Sequence, residues 1–330
     1  MPYTENRYSI DEEINEESSD ELDPLSLQLD PETQIIKNVM IVKTLEQILR
    51  GANLLQKYHH CLQSGSVADT FGISKAPDGF FVFVMRFYEN GDLNQYIKNV
   101  NDISWKDKID LLWGITAGLE NIHRYNFYHG NLHGGNIMIE DESISTEGRI
   151  ADIGINGSVD IPYNNNKLYG VIPYIAPEIL LGENQSKEAD IYSFGVIMWS
   201  LAAEQKPFAE RAHDITLAMD ICNGVRPKEI ENTPKCFSDL MKRCWAFDPK
   251  QRPTAIELNE IFSDWITDIC DNPAPTGISE EFNDAEERRC GSFQIQKNTS
   301  QEIQNKNAFY TSRFFDFSEL REKFNNNNDN

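Results

Sequence analysis

The chain has 330 residues, which is enough for one large domain or two smaller ones. Its 53 acidic residues outnumber the 30 basic ones, and the formal charge of −23 disfavours nucleic acid and anionic lipid as ligands. The longest apolar run, Phe80 to Met85, is far shorter than the ~20 residues of a membrane-spanning helix. These features exclude a membrane span within this sequence and leave other proteins as the expected partners.

Cysteine spacing and the first residues indicate the compartment. The N-terminus has no basic stretch followed by an apolar one, so no signal peptide is predicted. None of the six cysteines forms a CxxC pair, so reduced thiols are expected and structural zinc is not. We therefore expect a cytoplasmic protein, with the nucleus as the alternative compartment.

Three compositional zones divide the chain. Residues 1–33 are acidic and serine-rich, and such a segment is expected to be disordered because it cannot bury enough apolar surface. Residues 271–330 begin near two prolines and end in an asparagine run, which predicts a largely disordered tail. The tail contains one candidate docking patch of aromatic residues: Phe309, Tyr310, Phe314, Phe315 and Phe317.

The first half of the central region mixes strand and helix patterns. Apolar and β-branched runs at Ile35 to Val42 and Phe80 to Phe87 predict two strands. Between them, apolar residues from Leu45 to Leu62 follow helical spacing. After the turn at Asn90-Gly91, Asp92 is suited to cap a further helix.

The second half of the central region is mainly helical. Ile109 to Tyr125 predicts an amphipathic helix with Trp113 on its apolar face, and Ile137–Ile139 and Arg149–Ala151 predict two short strands. Later helices are predicted at Ile191–Ala203, His213–Asn223, Phe237–Phe247 and Thr254–Ile269. A small β-containing part, residues 34–88, therefore precedes a larger helical part, residues 89–270, and the fold class is α+β.

The stretch from Tyr128 to Glu178 contains an ordered series of motifs. It reads His129-Gly130-Asn131-Leu132 followed by Asn136, then Asp152-Ile153-Gly154, then Ala176-Pro177-Glu178. This series resembles the catalytic loop, the metal-binding motif and the A-P-E motif of protein kinases, in that order. The resemblance covers about residues 35–265 and is closest to tyrosine-kinase-like groups of the sort expanded in some fungi.

The resemblance implies a bilobal kinase-like fold with a reduced β-containing N-lobe and a mainly helical C-lobe. It assigns structural roles to His129, to Asp190 as a brace for the catalytic loop, and to a buried ion pair between Glu178 and Arg252. It also gives His133 a place where many kinases have lysine; we expect this histidine to contact the loop backbone rather than act as a base.

A cation site is predicted where the two short strands meet. If Ile137–Ile139 and Arg149–Ala151 pair antiparallel, Asn136 lies beside Asp152. Amide and carboxylate oxygens suit a magnesium ion that also binds substrate phosphates. The simpler alternative is that both are ordinary turn residues. By resemblance these are the metal-binding positions, and ATP and Mg²⁺ are candidate cofactors.

Departures from the kinase pattern concentrate on the catalytic loop. Asn131 stands where kinases have the aspartate that orients the substrate hydroxyl and accepts its proton. Gly130 replaces the preceding arginine, and Val171 replaces a threonine that contacts this aspartate in Ser/Thr kinases. An amide does not titrate, and loss of a general base typically costs about 10²–10⁴ in rate. The three changes fall on one network, which favours loss of activity over independent drift.

The nucleotide site is intact only in part. The chain has no glycine before Gly51, so the glycine-rich loop that covers the phosphates is missing. Lys43 is the one candidate for the phosphate-binding lysine, and a surface lysine at a strand end is an equal alternative. By resemblance Met85 is the gatekeeper, Arg86, Phe87 and Tyr88 form the hinge, and Met138 is the pocket floor.

Three hypotheses of function follow. The favoured one is a pseudokinase or very weak kinase in intracellular signalling that works with other proteins and can still bind ATP. The first alternative is an active Ser/Thr or Tyr protein kinase with a degenerate catalytic loop. The second alternative is an interaction protein that works through its acidic head and aromatic tail, with the central domain as a carrier.

Overall fold

The computed structural model describes residues 35–42, 61, 65–75, 81–100, 102–141, 146–152, 167–270, 276–296, 305–316, 318, 320, 321 and 324. Within these residues, short sheets combine with a larger set of helices, as an α+β fold requires. The predictions for residues 1–33, Lys43 and Phe317 lie outside the described residues, as does the helical pattern from Leu45 to Leu62 except for Cys61, which is helical. None of the described helices is both long and apolar enough to cross a membrane.

The first part is a three-stranded antiparallel sheet. Its strands are β1 (Ile35–Val42), β2 (Thr70–Lys75) and β3 (Phe81–Arg86), in the order β1-β3-β2. Both strands predicted from the sequence are confirmed, and β3 ends one residue before the predicted end. Because β3 pairs with both β1 and β2, it is the central strand of this sheet.

A tight turn links this sheet to α1 (Leu93–Asn99), the first helix whose bounds lie within the described residues. Gly91 has a φ of +69°, a conformation that glycine adopts without steric cost. The Asp92 carboxylate then accepts a 2.9 Å hydrogen bond from the backbone N–H of Gln95. The predicted N-cap is thus confirmed.

Helix α2 (Trp105–Arg124) runs through the core. It begins four residues before the predicted start because Ser104 caps it, accepting from the backbone N–H of Asp107 at 3.1 Å. The predicted apolar face is buried, with one error: Trp113 is 39% exposed. Leu111 is buried instead, because it lies on the side of α2 that faces the rest of the core.

A β-hairpin follows α2. Its strands, β4 (Ile137–Asp141) and β5 (Thr146–Ile150), pair antiparallel with Ile137 opposite Ile150. The predicted pairing is therefore confirmed, with Ala151 just outside the strand. A fourth described strand pair joins β6 (Lys167–Gly170) to a strand near the end of the chain.

The remaining helices form the body of the domain. They are α3 (Pro177–Leu180), α4 (Lys187–Ala203), α5 (Ile215–Cys222), α6 (Lys235–Cys244) and α7 (Ala255–Cys270). The four longer ones are the predicted helices, with ends shifted by a few residues. Helix α4 is buried along most of its length and so occupies the centre of the hydrophobic core.

The tail departs from the prediction of disorder. Residues Gly277–Gln296 form a helix, α8, and Arg313–Asp316 form strand β7, which pairs antiparallel with β6. Phe282 is 2% exposed and packs edge-on against Trp105 and Trp265. These aromatic contacts give the tail an apolar anchor that its overall polarity conceals.

The charges of α8 also have partners in the domain. The Glu286 carboxylate accepts from the backbone N–H of Trp105 at 3.0 Å, and that of Glu281 accepts from Cys236 at 2.7 Å. Both N–H groups lie in the first turns of helices α2 and α6, where backbone donors lack partners within the helix. Glu281 and Glu286, which the polar tail sequence would place in solvent, therefore stabilise the first turns of α6 and α2.

Candidate active site

The start of the loop at residues 129–136 is held by the buried carboxylate of Asp190. Asp190, in the first turn of α4, accepts hydrogen bonds from the backbone N–H of His129 at 2.7 Å and of Gly130 at 2.9 Å. The ring Nε2 of His123 lies 2.9 Å from the same carboxylate. Gly130 has a φ of +74°, which favours glycine at this point of the loop. Asp190 thus lies where the sequence predicts a brace.

His129 joins the loop to the segment after β5. Its Nδ1 accepts from the backbone N–H of Asn131 at 3.2 Å, so Nε2 carries the proton and donates to the Ala151 carbonyl at 2.8 Å. The ring is buried, and burial lowers the pKa of His129 below its usual value. His129 is accordingly neutral and structural.

Asn131 contacts a residue from the other end of the chain. Its Nδ2 donates to the Ser312 hydroxyl at 3.0 Å, and the hydroxyl lies 3.3 Å from the Asn131 Oδ1. Asn131 is 9% exposed. The side chain that stands at the position of the kinase aspartate therefore holds an aliphatic hydroxyl.

His133 contacts the same hydroxyl, at 2.7 Å from its Nε2. Its Nδ1 accepts from the backbone N–H of Gly135 at 3.0 Å, so Nδ1 is unprotonated and Nε2 carries the proton. Burial lowers the pKa of His133 to about 3, which keeps the ring neutral near pH 7. Nε2 is therefore a donor to Ser312, and not a proton acceptor.

The two predicted metal-binding residues meet at the base of the hairpin. The carbonyl of Asn136 accepts from the backbone N–H of Ala151 at 2.8 Å, which brings Asp152 next to Asn136. The Asn136 Nδ2 donates to the Asn131 carbonyl at 2.9 Å, and this directs its amide oxygen away from the loop backbone. Asp152 has a φ of +59°, and burial raises its pKa to about 6.

This donor set fits a magnesium ion. Amide and carboxylate oxygens are hard ligands, and Mg²⁺ usually takes one or two protein ligands with the rest from phosphate and water. A cation beside Asp152 would also favour the ionised carboxylate and so reverse the effect of burial on its pKa. Asn136 and Asp152 are thus brought together as the sequence predicted, and the metal-binding role itself stays a prediction.

The predicted adenine-binding residues surround the junction between β3 and the hairpin. Met85 and Tyr88 are buried, and the Tyr88 hydroxyl accepts from the backbone N–H of Asp69 at 3.2 Å. Met138 forms a β-bridge with Asp92, the residue that caps α1. Phe87 is half-buried between them in sequence. The residues predicted as the hinge and as the pocket floor therefore lie near one junction of the chain, and their nucleotide-binding role stays a prediction.

Glu178 and Arg252 form a bidentate ion pair. Arg252 Nη1 and Nη2 donate to the two carboxylate oxygens at 2.6 and 2.9 Å, and both side chains are buried. Arg252 also donates to the carbonyls of Glu188 and Ala246, each at 2.9 Å. The pair links the segment after β6 to the loop before α7, as predicted for a structural role.

The predicted contact of His133 with the loop backbone is confirmed by its Nδ1, which accepts from the Gly135 N–H. The sequence pattern missed Ser312 and the contact of His133 with its hydroxyl. Val171 is buried beside Gly170, close to the loop but without a hydroxyl to contact Asn131. The one available signal for Ser312 was the aromatic docking patch around it, which gave no indication of where the patch docks. Lys43 lies outside the described residues.

Comparison with known proteins agrees with this geometry. A sequence model for the family described as protein tyrosine and serine/threonine kinase matches residues 32–262, well over half of the chain. The fold, the loop held by Asp190 and the ordered motifs thus define a protein-kinase domain. The chain belongs to the family of protein tyrosine and serine/threonine kinases.

Similar proteins are kinases that are much longer. A serine/threonine-protein kinase of Dictyostelium discoideum is 27% identical over 191 residues, 58% of this chain and 11% of that protein. A serine/threonine-protein kinase/receptor of Acanthamoeba polyphaga mimivirus is 32% identical over 180 residues, 53% of this chain and 11% of its own length. Human mitogen-activated protein kinase kinase kinase 7 is 29% identical over 187 residues, 54% of this chain and 30% of its own length. The chain spans less than a third of each relative.

Proposed function

We propose that this chain is a pseudokinase or very weak kinase in intracellular signalling, a kinase domain that holds a hydroxyl-bearing protein segment without transferring phosphate at an ordinary rate. One observation carries this proposal: the Ser312 hydroxyl is bound by the Asn131 amide and by the protonated Nε2 of His133. On this proposal Asn131 and His133 hold the place of the substrate hydroxyl, and neither of them can take its proton.

The chemical reason is the state of these two partners. In protein kinases the catalytic-loop aspartate accepts the hydroxyl proton as phosphate is transferred. The Asn131 amide has no titratable proton acceptor, and the Nδ1 of His133 is engaged by the Gly135 N–H. Loss of general-base catalysis costs about 10²–10⁴ in rate. Binding of the hydroxyl survives this loss because it requires hydrogen bonds and no titration.

ATP with Mg²⁺ is the proposed ligand of the remaining site. Met85, Phe87, Tyr88 and Met138 would bound the adenine, and Asn136 and Asp152 would hold the cation, which supplies positive charge to the phosphates. The three-stranded sheet and the helical body would then be the two lobes on either side. Support comes from the junction at Met138 and Asp92 and from the hairpin that joins Asn136 to Asp152.

The phosphate side is weaker than in working kinases. The sequence has no glycine before Gly51, so no glycine-rich loop can enclose the phosphates with backbone N–H groups. Lys43 remains the candidate for the phosphate-binding lysine. A site of this kind would position the γ-phosphate of a bound nucleotide less accurately, and this would lower the rate of phosphate transfer further.

Radiolabelled phosphate transfer from ATP to generic protein substrates tests the proposal. We expect the native chain to incorporate no more label than Asp152→Ala, because both lack a complete site. Turnover typical of a protein kinase, lost in Asp152→Ala, would overturn it. In parallel, Mg²⁺–ATP should raise the melting temperature of the native chain and leave Asp152→Ala unchanged, since only native-state binding stabilises.

An active but slow kinase is the second candidate. Support for it comes from the Asp190 contacts and the Glu178–Arg252 pair, which hold the loop and the segment after β6 in place. Phosphoryl transfer depends mostly on positioning and metal electrostatics, so a missing base is not always fatal. Measurable phosphate transfer that is lost in Asp152→Ala and whose rate does not depend on pH would favour this candidate over a pseudokinase.

A further inference from the structure

We propose that residues 305–316, here called the tail segment, are a built-in occupant of the chain's own peptide groove, and that the groove takes a partner's extended segment with a Ser or Thr hydroxyl. The groove is the surface formed by strand β6, the loop at residues 129–136 and residues 206–213 before α5. The inference rests on the proposed function in one respect: Asn131 is taken as the place of the substrate hydroxyl.

Backbone contacts fix the start of the tail segment. The Asn305 N–H donates to the Ala209 carbonyl at 2.8 Å, and the His213 N–H donates to the Asn307 carbonyl at 2.9 Å. The ring Nδ1 of His213 lies 2.9 Å from the Phe309 carbonyl. Because these contacts use the main chain, they set the path of a bound segment and tolerate many sequences.

An aromatic side chain two residues before Ser312 fills the next position. The Tyr310 hydroxyl donates to the Pro207 carbonyl at 2.9 Å, and its ring stands edge-on to His213 with centroids 4.8 Å apart. The Lys206 ammonium lies 5.0 Å from the centre of the same ring. This position therefore selects an aromatic residue, and tyrosine best.

The hydroxyl position is the most specific. Ser312 is held by the buried side chains of Asn131 and His133. The Gly135 N–H fixes the His133 ring, and the Asn136 amide fixes the backbone carbonyl of Asn131. Burial and these contacts make a preformed hydroxyl site, which costs little ordering on binding. Serine or threonine fits this site, and a residue without a hydroxyl would leave its donors unpaired.

Recognition continues beyond the hydroxyl. The Arg313 guanidinium donates to the His213 carbonyl at 2.8 Å and lies 4.0 Å from the centre of the Phe309 ring. Arg313 to Asp316 then pair antiparallel with Gly170 to Lys167. The pattern read by the groove is thus an aromatic residue, one spacer, Ser or Thr, arginine, and a short strand.

Covalent attachment makes the tail segment a strong competitor. A segment tethered in the same chain acts at an effective concentration on the order of 1 mM. If the free segment bound with a dissociation constant of about 10–100 µM, tethering would weaken binding of a separate segment by about 10- to 100-fold. A partner segment must therefore match the pattern and displace the tail segment before it can occupy the groove.

The test uses the full chain and a labelled peptide with the sequence of residues 305–318, measured by fluorescence anisotropy. In the released-tail variant, Tyr310→Ala, Ser312→Ala and Arg313→Ala are combined, and every groove residue is kept. We expect this variant to bind the peptide at least about tenfold more tightly than the native chain. Lys306→Ala, at an exposed tail position, is the matched control and should behave as native.

A peptide with Ser312→Ala should bind the released-tail variant at least about tenfold more weakly than the native peptide. Equal binding of the native peptide to the native and released-tail chains would overturn the proposal. So would no binding to a released-tail variant that still unfolds cooperatively. Phosphate transfer is not the readout, so an active chain that passes this test would refute only the proposed pseudokinase.

If the released-tail variant fails to fold, hydrogen exchange on the unaltered full chain decides. Amides of Lys167–Gly170 and Arg313–Asp316 should be protected together, and saturating peptide should leave tail amides faster-exchanging while those of Lys167–Gly170 stay slow. Exchange of both strands at the rate of an unstructured chain would overturn the proposal. So would tail protection that saturating peptide does not change.

Discussion

The imidazole Nε2 of His133 lies 2.7 Å from the Ser312 hydroxyl, although 179 residues separate the two along the chain. Asn131, two residues before His133, binds the same hydroxyl. The Gly135 N–H fixes the tautomer of His133 so that the ring donates to the hydroxyl. Together these contacts give the Ser312 hydroxyl two side-chain partners, a neutral imidazole that donates to it and an amide that does not titrate.

Acid should weaken the fold through His133. Its pKa is about 3 in the folded protein and near 6.5 when unfolded, so the unfolded chain binds more protons between these values. The stability that the buried, neutral His133 contributes is therefore fully present above pH 6.5 and is lost as the pH falls toward 3. From pH 7 to 5 this group alone should cost about 2 kcal/mol of unfolding free energy.

Urea unfolding of the native chain and His133→Gln at both pH values measures this loss. His129 contributes to both chains, so its effect cancels in the comparison. The native chain should lose about 2 kcal/mol more than His133→Gln between pH 7 and 5. The same pH slope in both chains would mean that His133 does not titrate as a buried neutral ring.

Breaking the buried ion pair should be costly. Arg252→Ala leaves the Glu178 carboxylate buried without its partner, and such losses typically cost about 3–5 kcal/mol. Arg243→Ala is the matched control, because its pair with Glu257 is exposed and worth less than about 1 kcal/mol. Chemical denaturation compares the two, and similar losses would argue against a structural role for the buried pair.

Helix α8 should behave as part of the domain. Phe282→Ala removes a buried ring from contact with Trp105 and Trp265, and we expect a loss of about 3–5 kcal/mol in unfolding free energy. Ile256→Ala, at a position 53% exposed on α7, should change stability by less than about 1 kcal/mol. A Phe282→Ala chain as stable as the Ile256→Ala chain would show that α8 does not pack on the domain.

Restoring the aspartate should not restore a kinase. Asn131→Asp supplies a proton acceptor, but the sequence still has no glycine-rich loop to place the γ-phosphate. We expect phosphate incorporation in this variant to stay within about tenfold of the native chain, although a base alone can contribute about 10²–10⁴. A gain of a hundredfold or more would place the defect at Asn131 alone.

Local sequence patterns predicted the elements that local forces determine. The strand at Ile35–Val42, the helix after Asp92 and the hairpin at Ile137 follow from β-branched runs, a capping carboxylate and short alternating segments. Trp113 was placed wrongly because helical spacing gives a face only to within a residue or so, and here Leu111 is on the buried side.

Tertiary partners determined the rest. The charges of Glu281 and Glu286 indicate a solvated tail until the first turns of α6 and α2 are set beside them. Ser312 carries no motif of its own, since its hydroxyl site is built from a loop far away in the sequence. Motif order therefore predicted Asn131 as the position of the catalytic-loop aspartate, and only the fold showed that its side chain contacts Ser312.

The tautomer of His133 is the most direct test of the proposal's central claim, that neither Asn131 nor His133 can accept the proton of the hydroxyl they bind. Nitrogen NMR of the chain labelled at histidine, near pH 7, distinguishes the two neutral forms, with His133→Gln assigning the signal. We expect Nε2 to carry the proton and Nδ1 to be unprotonated. A ring protonated at Nδ1, with Nε2 free to accept the Ser312 proton, would contradict the account.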